Sequence, residues 1–259
     1  MSESLQVAIE NHIATITLNR PDKMNALDIG SWERLGKLMG ELSDNDDLRC
    51  VVLRGAGDRA FSAGADIEEF PTHRRDARQA ETYGRITART MQAVADCRHP
   101  TLALIMGVCV GGGLELASMC DMRICGASSR FGVPVNRLGL VMSYGELGGL
   151  IALTGTSTAL EIVFEGRVFG AQEALDKRLV NRVVPDEQLF EEGAAAARRI
   201  SLGAPLVARW HKKFARRLAQ PEPLTEAEER EAYACFDTED FRIGYRAFLD
   251  KTKPAFVGR

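Results

Sequence analysis

The chain has 259 residues, enough for one large domain or for one core domain with a small addition. Hydrophobic residues make up 45% and charged residues 27%, which is typical of a soluble globular protein and excludes a disordered chain. The formal net charge of −3 provides no general attraction to nucleic acid or to an anionic membrane.

The N-terminal residues lack the basic and apolar regions of a secretory signal, and the longest apolar run, 101–110, is too short to cross a bilayer. Six cysteines lie mostly in apolar segments, without the spacing of a zinc site. We therefore expect a cytoplasmic protein that has buried, reduced thiols, no bound metal and no membrane association.

The first third of the chain predicts a hairpin, a helix and a strand. Apolar and polar residues alternate across 7–10 and 13–18, which predicts a β-hairpin that turns at Asn11-His12. Asp28 is placed to cap the helix that follows. The predicted apolar face of that helix contains Ile29, Trp32, Leu35, Leu38 and Leu42. An apolar run at 50–53 predicts a buried strand before a glycine turn.

Strands and helices alternate through the middle of the chain. Asp66 can cap a short helix, and residues 74–97 form a predicted longer helix. Further strands are predicted at 101–106, 122–125 and 180–184. This alternation indicates an α/β core. From about residue 186 the pattern is helical, so we divide the chain into a core, 1–200, and a helical oligomerisation region, 201–259.

Two glycine-containing turns, 61–66 and 107–113, each precede a predicted helix. Each turn would present unpaired backbone N–H groups at the positive end of that helix. Such donors suit a developing oxyanion because they are fixed in position before the charge appears. For either turn alone, the ordinary interpretation is a tight connection between a strand and a helix.

The sequence lacks the motifs of several common enzyme classes. Residues 107–113 do not spell GxGxxG and no GxxxxGK[ST] occurs, so the phosphate-binding loops of nucleotide enzymes are missing. GxSxG is also absent, and no histidine lies near a serine elbow. These absences disfavour a dinucleotide enzyme, a P-loop NTPase and a Ser-His-Asp hydrolase.

Three motifs occur in order: Phe61-Ser62-Ala63-Gly64-Ala65-Asp66-Ile67, Gly111-Gly112-Gly113-Leu114-Glu115-Leu116-Ala117 and Phe131-Gly132-Val133-Pro134. Together they resemble the crotonase superfamily, also called the enoyl-CoA hydratase/isomerase family, over nearly the whole chain. The resemblance implies a crotonase-like α/β fold, with a ββα spiral core and a C-terminal helical trimerisation region. It also implies a homotrimer or a dimer of trimers, and an acyl-CoA substrate that brings its own coenzyme A, with no further cofactor.

The same resemblance implies the roles of individual residues. The backbone amides of Ala65 and Gly112 would form the oxyanion hole, and Glu115 would be the general acid/base. Phe248 and Lys251 would reach the coenzyme A of a neighbouring subunit. The other coenzyme A contacts would be Lys23, Met24, Ala26, Ala63, Asp66 and Ile67.

A second catalytic glutamate is missing, because Val135 stands where hydratases of the family carry it. Glu146 is a candidate substitute, although Ser143-Tyr144-Gly145-Glu146 also spells a helix capping box that would engage its carboxylate. Val135 and Tyr144 are expected to border the acyl pocket, Tyr144 by packing or by donating a hydrogen bond.

The preferred function is a lyase or isomerase acting on an enoyl-CoA. The alternative enzyme is an acyl-CoA decarboxylase or thioester hydrolase, which needs the oxyanion hole but not paired glutamates. A non-catalytic CoA- or RNA-binding protein is a third reading, because the basic run 209–217 contains interleaved aromatic residues. Such runs are more often a solvated helix face, and the acidic chain disfavours nucleic acid.

Overall fold

The computed structural model describes residues 3–259. Its strands are β1 Leu5–Glu10, β2 Ile13–Leu18, β3 Cys50–Gly55, β4 Ala60–Ser62, β5 Thr101–Ile105, β6 Val108–Val110, β7 Met122–Gly126, β8 Arg130–Gly132, β9 Phe169–Gly170 and β10 Arg182–Val184. Its α-helices are α1 Ile29–Asp44, α2 Phe70–His73, α3 Ala77–Asp96, α4 Gly112–Met119, α5 Tyr144–Thr154, α6 Thr156–Glu165, α7 Ala171–Asp176, α8 Leu189–Ser201, α9 Pro205–Leu218, α10 Glu226–Glu231 and α11 Glu239–Leu249.

The strands form two sheets. The larger has the order β1-β2-β3-β5-β7-β10, and the smaller has the order β4-β6-β8-β9. Between β3 and β8 the chain repeats one unit three times. In each unit the first strand joins the larger sheet, the second strand joins the smaller sheet, and a helical segment follows. The predicted α/β core is therefore confirmed. The smaller sheet was not predicted, because strands of two or three residues are too short to show periodicity.

The N-terminal hairpin and the first helix form as predicted. β1 and β2 pair antiparallel, and Asn11 and His12 have φ values of 50° and 66°, the left-handed conformation that a two-residue turn requires. The Asp28 carboxylate accepts a hydrogen bond from Ser31 N at 2.8 Å and so caps α1. Trp32 is buried on α1, and its carbonyl accepts a hydrogen bond from Thr90 Oγ1 of α3 at 2.7 Å. This contact fixes α1 against α3.

The basic run 209–217 lies on α9 and pairs with other parts of the chain. Lys212 Nζ lies 2.7 Å from Asp121 Oδ2 and donates to the His99 carbonyl at 3.0 Å. Other ion pairs join Arg209 to Asp46, Lys213 to Glu231 and Arg217 to Glu228. The expectation of a mainly solvated face is therefore wrong, because these cations attach α9 to the core and to α10.

All six cysteines are free thiols. Five of them are buried, and Cys235 is half-buried. Within the described part of the chain, no helix combines the length and the apolar character needed to span a membrane.

Candidate active site

The candidate site lies where three neighbouring strands of the smaller sheet end. β4, β6 and β8 are parallel, so their carboxyl ends meet at one edge of the sheet. The segments that follow them, 63–66, 111–113 and 134–138, border a cavity that α1 and α3 close from the other side. Ligands commonly bind at the carboxyl ends of parallel strands because the connecting loops converge there.

The two glycine turns pack against each other with no room for side chains. Gly64 has a φ of 94° and Gly111 a φ of 51°, which disfavour any residue with a Cβ. A Cβ added to Gly64 would lie 2.7 Å from Gly112 N, and one added to Gly113 would lie 2.2 Å from Ser62 O. These glycines therefore permit a close approach of the two backbones.

The amides of Ala65 and Gly112 are neighbours with free N–H groups. An ideal Cβ on Gly112 would lie 3.4 Å from Ala65 N. Leu27 pairs with the residues on either side of Ala65: Leu27 N donates to Gly64 O, and Asp66 N donates to Leu27 O. Among residues 3–259, no protein acceptor takes the N–H of Ala65 or of Gly112. Both residues line the cavity, so both donors are available to a ligand.

Glu115 lies in the first turn of α4 and lines the same cavity. Its side chain is only 7% exposed, and nothing from residue 3 to residue 259 forms a hydrogen bond or ion pair with its carboxyl group. Burial raises the pKa of Glu115 to about 8, and the charge of Glu146 adds to this rise, whereas Arg74 opposes it. A substantial fraction of Glu115 is therefore protonated near neutral pH.

Glu146 fits both interpretations of its sequence position. Ser143 N donates to Glu146 Oε2 at 2.6 Å, and Glu146 N donates to Ser143 Oγ at 3.4 Å, which forms the predicted capping box. Glu146 also lines the cavity and acts on the pKa of Glu115. Its carboxylate is thus close to the site but is already held by the start of α5.

Of the two expected acyl-pocket residues, only Val135 borders the cavity, where it is half-buried. Tyr144 neither packs nor donates a hydrogen bond there. It is the first residue of α5, its side chain is 99% exposed, and it lies outside the cavity lining, so that expectation is wrong.

The segments predicted to bind coenzyme A lie side by side. Ala63 N donates to the Met24 carbonyl at 2.9 Å, and Ser62 Oγ donates to the Asn25 carbonyl at 2.8 Å. Ala26 is buried behind this edge, while Ile67 is 54% exposed at the cavity.

The charged members of this group already have partners. Lys23 Nζ lies 2.6 Å from a Glu68 carboxylate oxygen, and the Asp66 carboxylate accepts hydrogen bonds from Arg20 Nη2 at 2.8 Å and from Glu68 N. Phe248 and Lys251 lie at the end of α11, exposed and outside the cavity lining of the single chain.

Three polar residues of the cavity were not predicted as site residues. Trp32 is predicted on the apolar face of α1, and Arg74 and Tyr83 lie in the segment 74–97, which is predicted as a helix without site residues. All three line the cavity. The sequence feature that could have pointed to Trp32 and Tyr83 is their polar N–H and O–H groups, because a buried tryptophan or tyrosine normally has a hydrogen-bond partner.

Comparison with known proteins gives one consistent family. A family model described as enoyl-CoA hydratase/isomerase matches residues 8–259. A short-chain-enoyl-CoA hydratase of Clostridium acetobutylicum is 32% identical over 94% of each chain. A solved enoyl-CoA hydratase/carnithine racemase of Magnetospirillum magneticum is 47% identical, with a TM-score of 0.98 over 100% of this chain and 97% of that one. An enoyl-CoA hydratase structure from Bacillus anthracis is 31% identical, with a TM-score of 0.93 over 99% and 100%.

Proposed function

Because this chain belongs to the enoyl-CoA hydratase/isomerase family and has the crotonase fold, we propose that it converts an enoyl-CoA through a thioester enolate. In this proposal the enolate oxygen accepts hydrogen bonds from the amides of Ala65 and Gly112, and Glu115 transfers the proton. The observation that carries the proposal is the position of the buried Glu115 carboxyl in the same cavity as two adjacent unpaired amides.

The two amides supply electrostatic stabilisation. They are held by the backbone before any charge develops, so they need no reorganisation when the enolate forms. Gly112 is also the first residue of α4, whose positive end favours the oxyanion. A single donor of this kind is worth about 10²–10³ in rate in other enzymes.

The proton transfer follows from the pKa of Glu115. A value of about 8 keeps both protonation states populated near neutral pH, which suits a group that must accept a proton and then return it. In hydration the ionised carboxylate would take a proton from water while the water oxygen bonds to the β-carbon and the enolate forms, and the acid would then return the proton to the α-carbon. In isomerisation it would take the proton from the α-carbon and return it to the γ-carbon. Val135 has no proton to transfer, and Glu146 is held by its capping box, so one carboxylate performs both steps.

Coenzyme A would enter as part of the substrate, with no further cofactor. Its nucleotide end would follow the edge formed by 23–26 and 63–67, where Ala63 is bonded to Met24. We also propose a homotrimer or a dimer of trimers, in which Phe248 and Lys251 of a neighbouring subunit complete this binding edge.

A panel of thioesters tests the reaction. We expect the enzyme to hydrate a 2-enoyl-CoA, seen as loss of the conjugated absorbance, or to isomerise a 3-enoyl-CoA, seen as its gain. Glu115→Gln should lower kcat by about 10²–10⁴ because it removes the general acid/base while keeping the shape of the side chain. Affinity for coenzyme A should be retained.

Glu191→Gln, an exposed change on α8 outside the cavity lining, is the matched control and should leave kcat unchanged. Decarboxylation of a malonyl-type thioester or hydrolysis of a saturated one, without either enoyl reaction, would instead support an acyl-CoA decarboxylase or thioester hydrolase. That alternative needs no second glutamate, so it is compatible with valine at position 135. Full activity in Glu115→Gln would remove Glu115 from the mechanism.

A further inference from the structure

Three buried hydrogen-bond donors belong to residues that line the cavity. Trp32 Nε1, Tyr83 Oη and Arg74 Nε each lack a well-aligned hydrogen bond to any residue from 3 to 259, although the Trp32 N–H lies close to the Tyr83 oxygen. Trp32 is 1% exposed and Tyr83 is 2% exposed. A buried donor without a partner costs about 1–3 kcal/mol, so three such donors beside one cavity favour a ligand group that accepts hydrogen bonds there.

The three donors lie together. The Arg74 guanidinium carbon is 4.7 Å from the centre of the Phe70 ring and 4.9 Å from the centre of the Tyr83 ring. Arg74 has no carboxylate within ion-pair distance in the described chain. Burial raises the pKa of Tyr83 to about 12, and the charges of Glu69 and Asp28 add to the rise, whereas the Trp32 N–H directed at the phenol oxygen and the Arg74 charge oppose it. The phenol therefore keeps its proton at neutral pH and remains a donor.

The donors are also close to the proposed reaction centre. An ideal Cβ on Gly112 would lie 3.4 Å from Trp32 Cζ2, an atom two bonds from Nε1 in the indole ring. Arg74 and Glu115 also line the same cavity, and the positive charge of Arg74 opposes the rise in the pKa of Glu115. Because Trp32 approaches Gly112 this closely, an acyl chain that runs from the thioester carbonyl to these donors would be short.

We propose, on the basis of the function proposed above, that the acyl group is short and carries a carboxylate at its far end, bound by Arg74, Tyr83 and Trp32. A carboxylate has two oxygens that can together accept all three hydrogen bonds, and a guanidinium is the side chain best matched to it. An alkyl chain in this position would leave the donors and a cation unpaired. Glu115 is mainly protonated at neutral pH and so repels the carboxylate little.

The test compares two substrates of equal chain length. Glutaconyl-CoA ends in a carboxylate, and 2-pentenoyl-CoA ends in a methyl group. We expect the wild-type kcat/KM to favour glutaconyl-CoA by about 10- to 100-fold, the usual value of hydrogen bonds to a charged group. Arg74→Met should abolish the preference, and Tyr83→Phe should reduce it. Arg85→Met is the matched control, because Arg85 is exposed on α3, pairs with Glu81 and lies outside the cavity lining.

The ratio of the two substrates within one variant cancels any change that loss of Arg74 makes to the pKa of Glu115. An equal effect of Arg74→Met on both substrates would therefore mean that Arg74 only tunes Glu115, and would overturn the proposal. So would a wild-type enzyme that prefers 2-pentenoyl-CoA.

Calorimetry with the saturated analogues glutaryl-CoA and pentanoyl-CoA separates this proposal from the proposed reaction. Tighter binding of glutaryl-CoA that depends on Arg74 supports the carboxylate site even if neither enoyl-CoA is converted. Equal binding of the two analogues to the wild type contradicts the site, even if enoyl-CoA hydration or isomerisation is observed.

Discussion

Glu115 combines two properties that oppose each other, burial and a requirement for charge. With a pKa of about 8, only a minority of the carboxyl groups are ionised at neutral pH. If the ionised form starts the reaction, kcat/KM should rise with pH and level off above about pH 8. Initial rates measured between about pH 6 and about pH 9 would show this profile. A profile that falls across this range would mean that the protonated acid acts first.

The same burial predicts an effect on stability. The folded state binds the Glu115 proton more tightly than the unfolded chain, whose glutamate pKa is close to the ordinary 4.5. Stability from this group is therefore complete below about pH 4.5 and is lost as pH rises towards 8. Glu115→Gln, which cannot ionise, should be more stable than the wild type by about 2–4 kcal/mol at alkaline pH. Urea unfolding at acidic and alkaline pH tests this, and the difference should vanish at acidic pH.

At the scale of the elements, the oxyanion hole depends on how closely the turns after β4 and β6 approach. Gly64→Ala should cost about 2–4 kcal/mol of stability and most of the activity, because φ is 94° and the new Cβ would lie 2.7 Å from Gly112 N. Gly40→Ala is the matched control, since Gly40 lies on α1 with nothing within 4 Å of the added carbon. We expect it to gain about 0.5–1 kcal/mol. Thermal unfolding and kcat/KM of the purified variants would measure both effects.

The elements that the sequence predicted correctly each carry a local signal. The Asn11-His12 turn, the Asp28 cap and the Ser143 capping box act within four residues, so their patterns can be interpreted without the fold. The short strands β4, β6, β8 and β9 carry no such signal, because their pairing partners are far away in the chain. Their positions depend on the winding of the chain between two sheets.

The residues of the candidate site likewise differ in whether a local sequence pattern predicts them. Ala65, Gly112 and Glu115 are next to glycine turns and were found through these turns and through the family resemblance. Trp32 and Tyr83 meet only because α1 packs against α3, and their spacing in the sequence contains no trace of this contact. A donor becomes recognisable as unpaired only when all of its neighbours in the fold are known.

At the scale of the whole molecule, α9 is attached to the core through buried charge. The Lys212 side chain is 8% exposed and bonds to both Asp121 and the His99 carbonyl. Lys212→Met keeps the length of the side chain but leaves these acceptors unpaired, and should cost about 1–3 kcal/mol. Lys213→Met, which removes a 61% exposed partner of Glu231, should cost about 0–1 kcal/mol. Equal midpoints for the two variants in urea would contradict the role of Lys212 as the attachment point.

The end of α11 carries two large apolar side chains that are exposed in the single chain. Phe248 is 83% exposed and Leu249 is 71% exposed, and adjacent exposed apolar residues mark contact surfaces. If a neighbouring subunit uses Phe248 to complete the coenzyme A site, Phe248→Ala should raise KM for acyl-CoA by about 3- to 10-fold and leave kcat nearly unchanged, because an aromatic contact is lost far from the reacting atoms. Phe164→Ala, near the end of α6 where Phe164 is 72% exposed and outside the cavity lining, is the control and should leave KM unchanged. Sedimentation equilibrium should give a mass three or six times that of the chain, and a monomer with unchanged KM in Phe248→Ala would contradict the shared site.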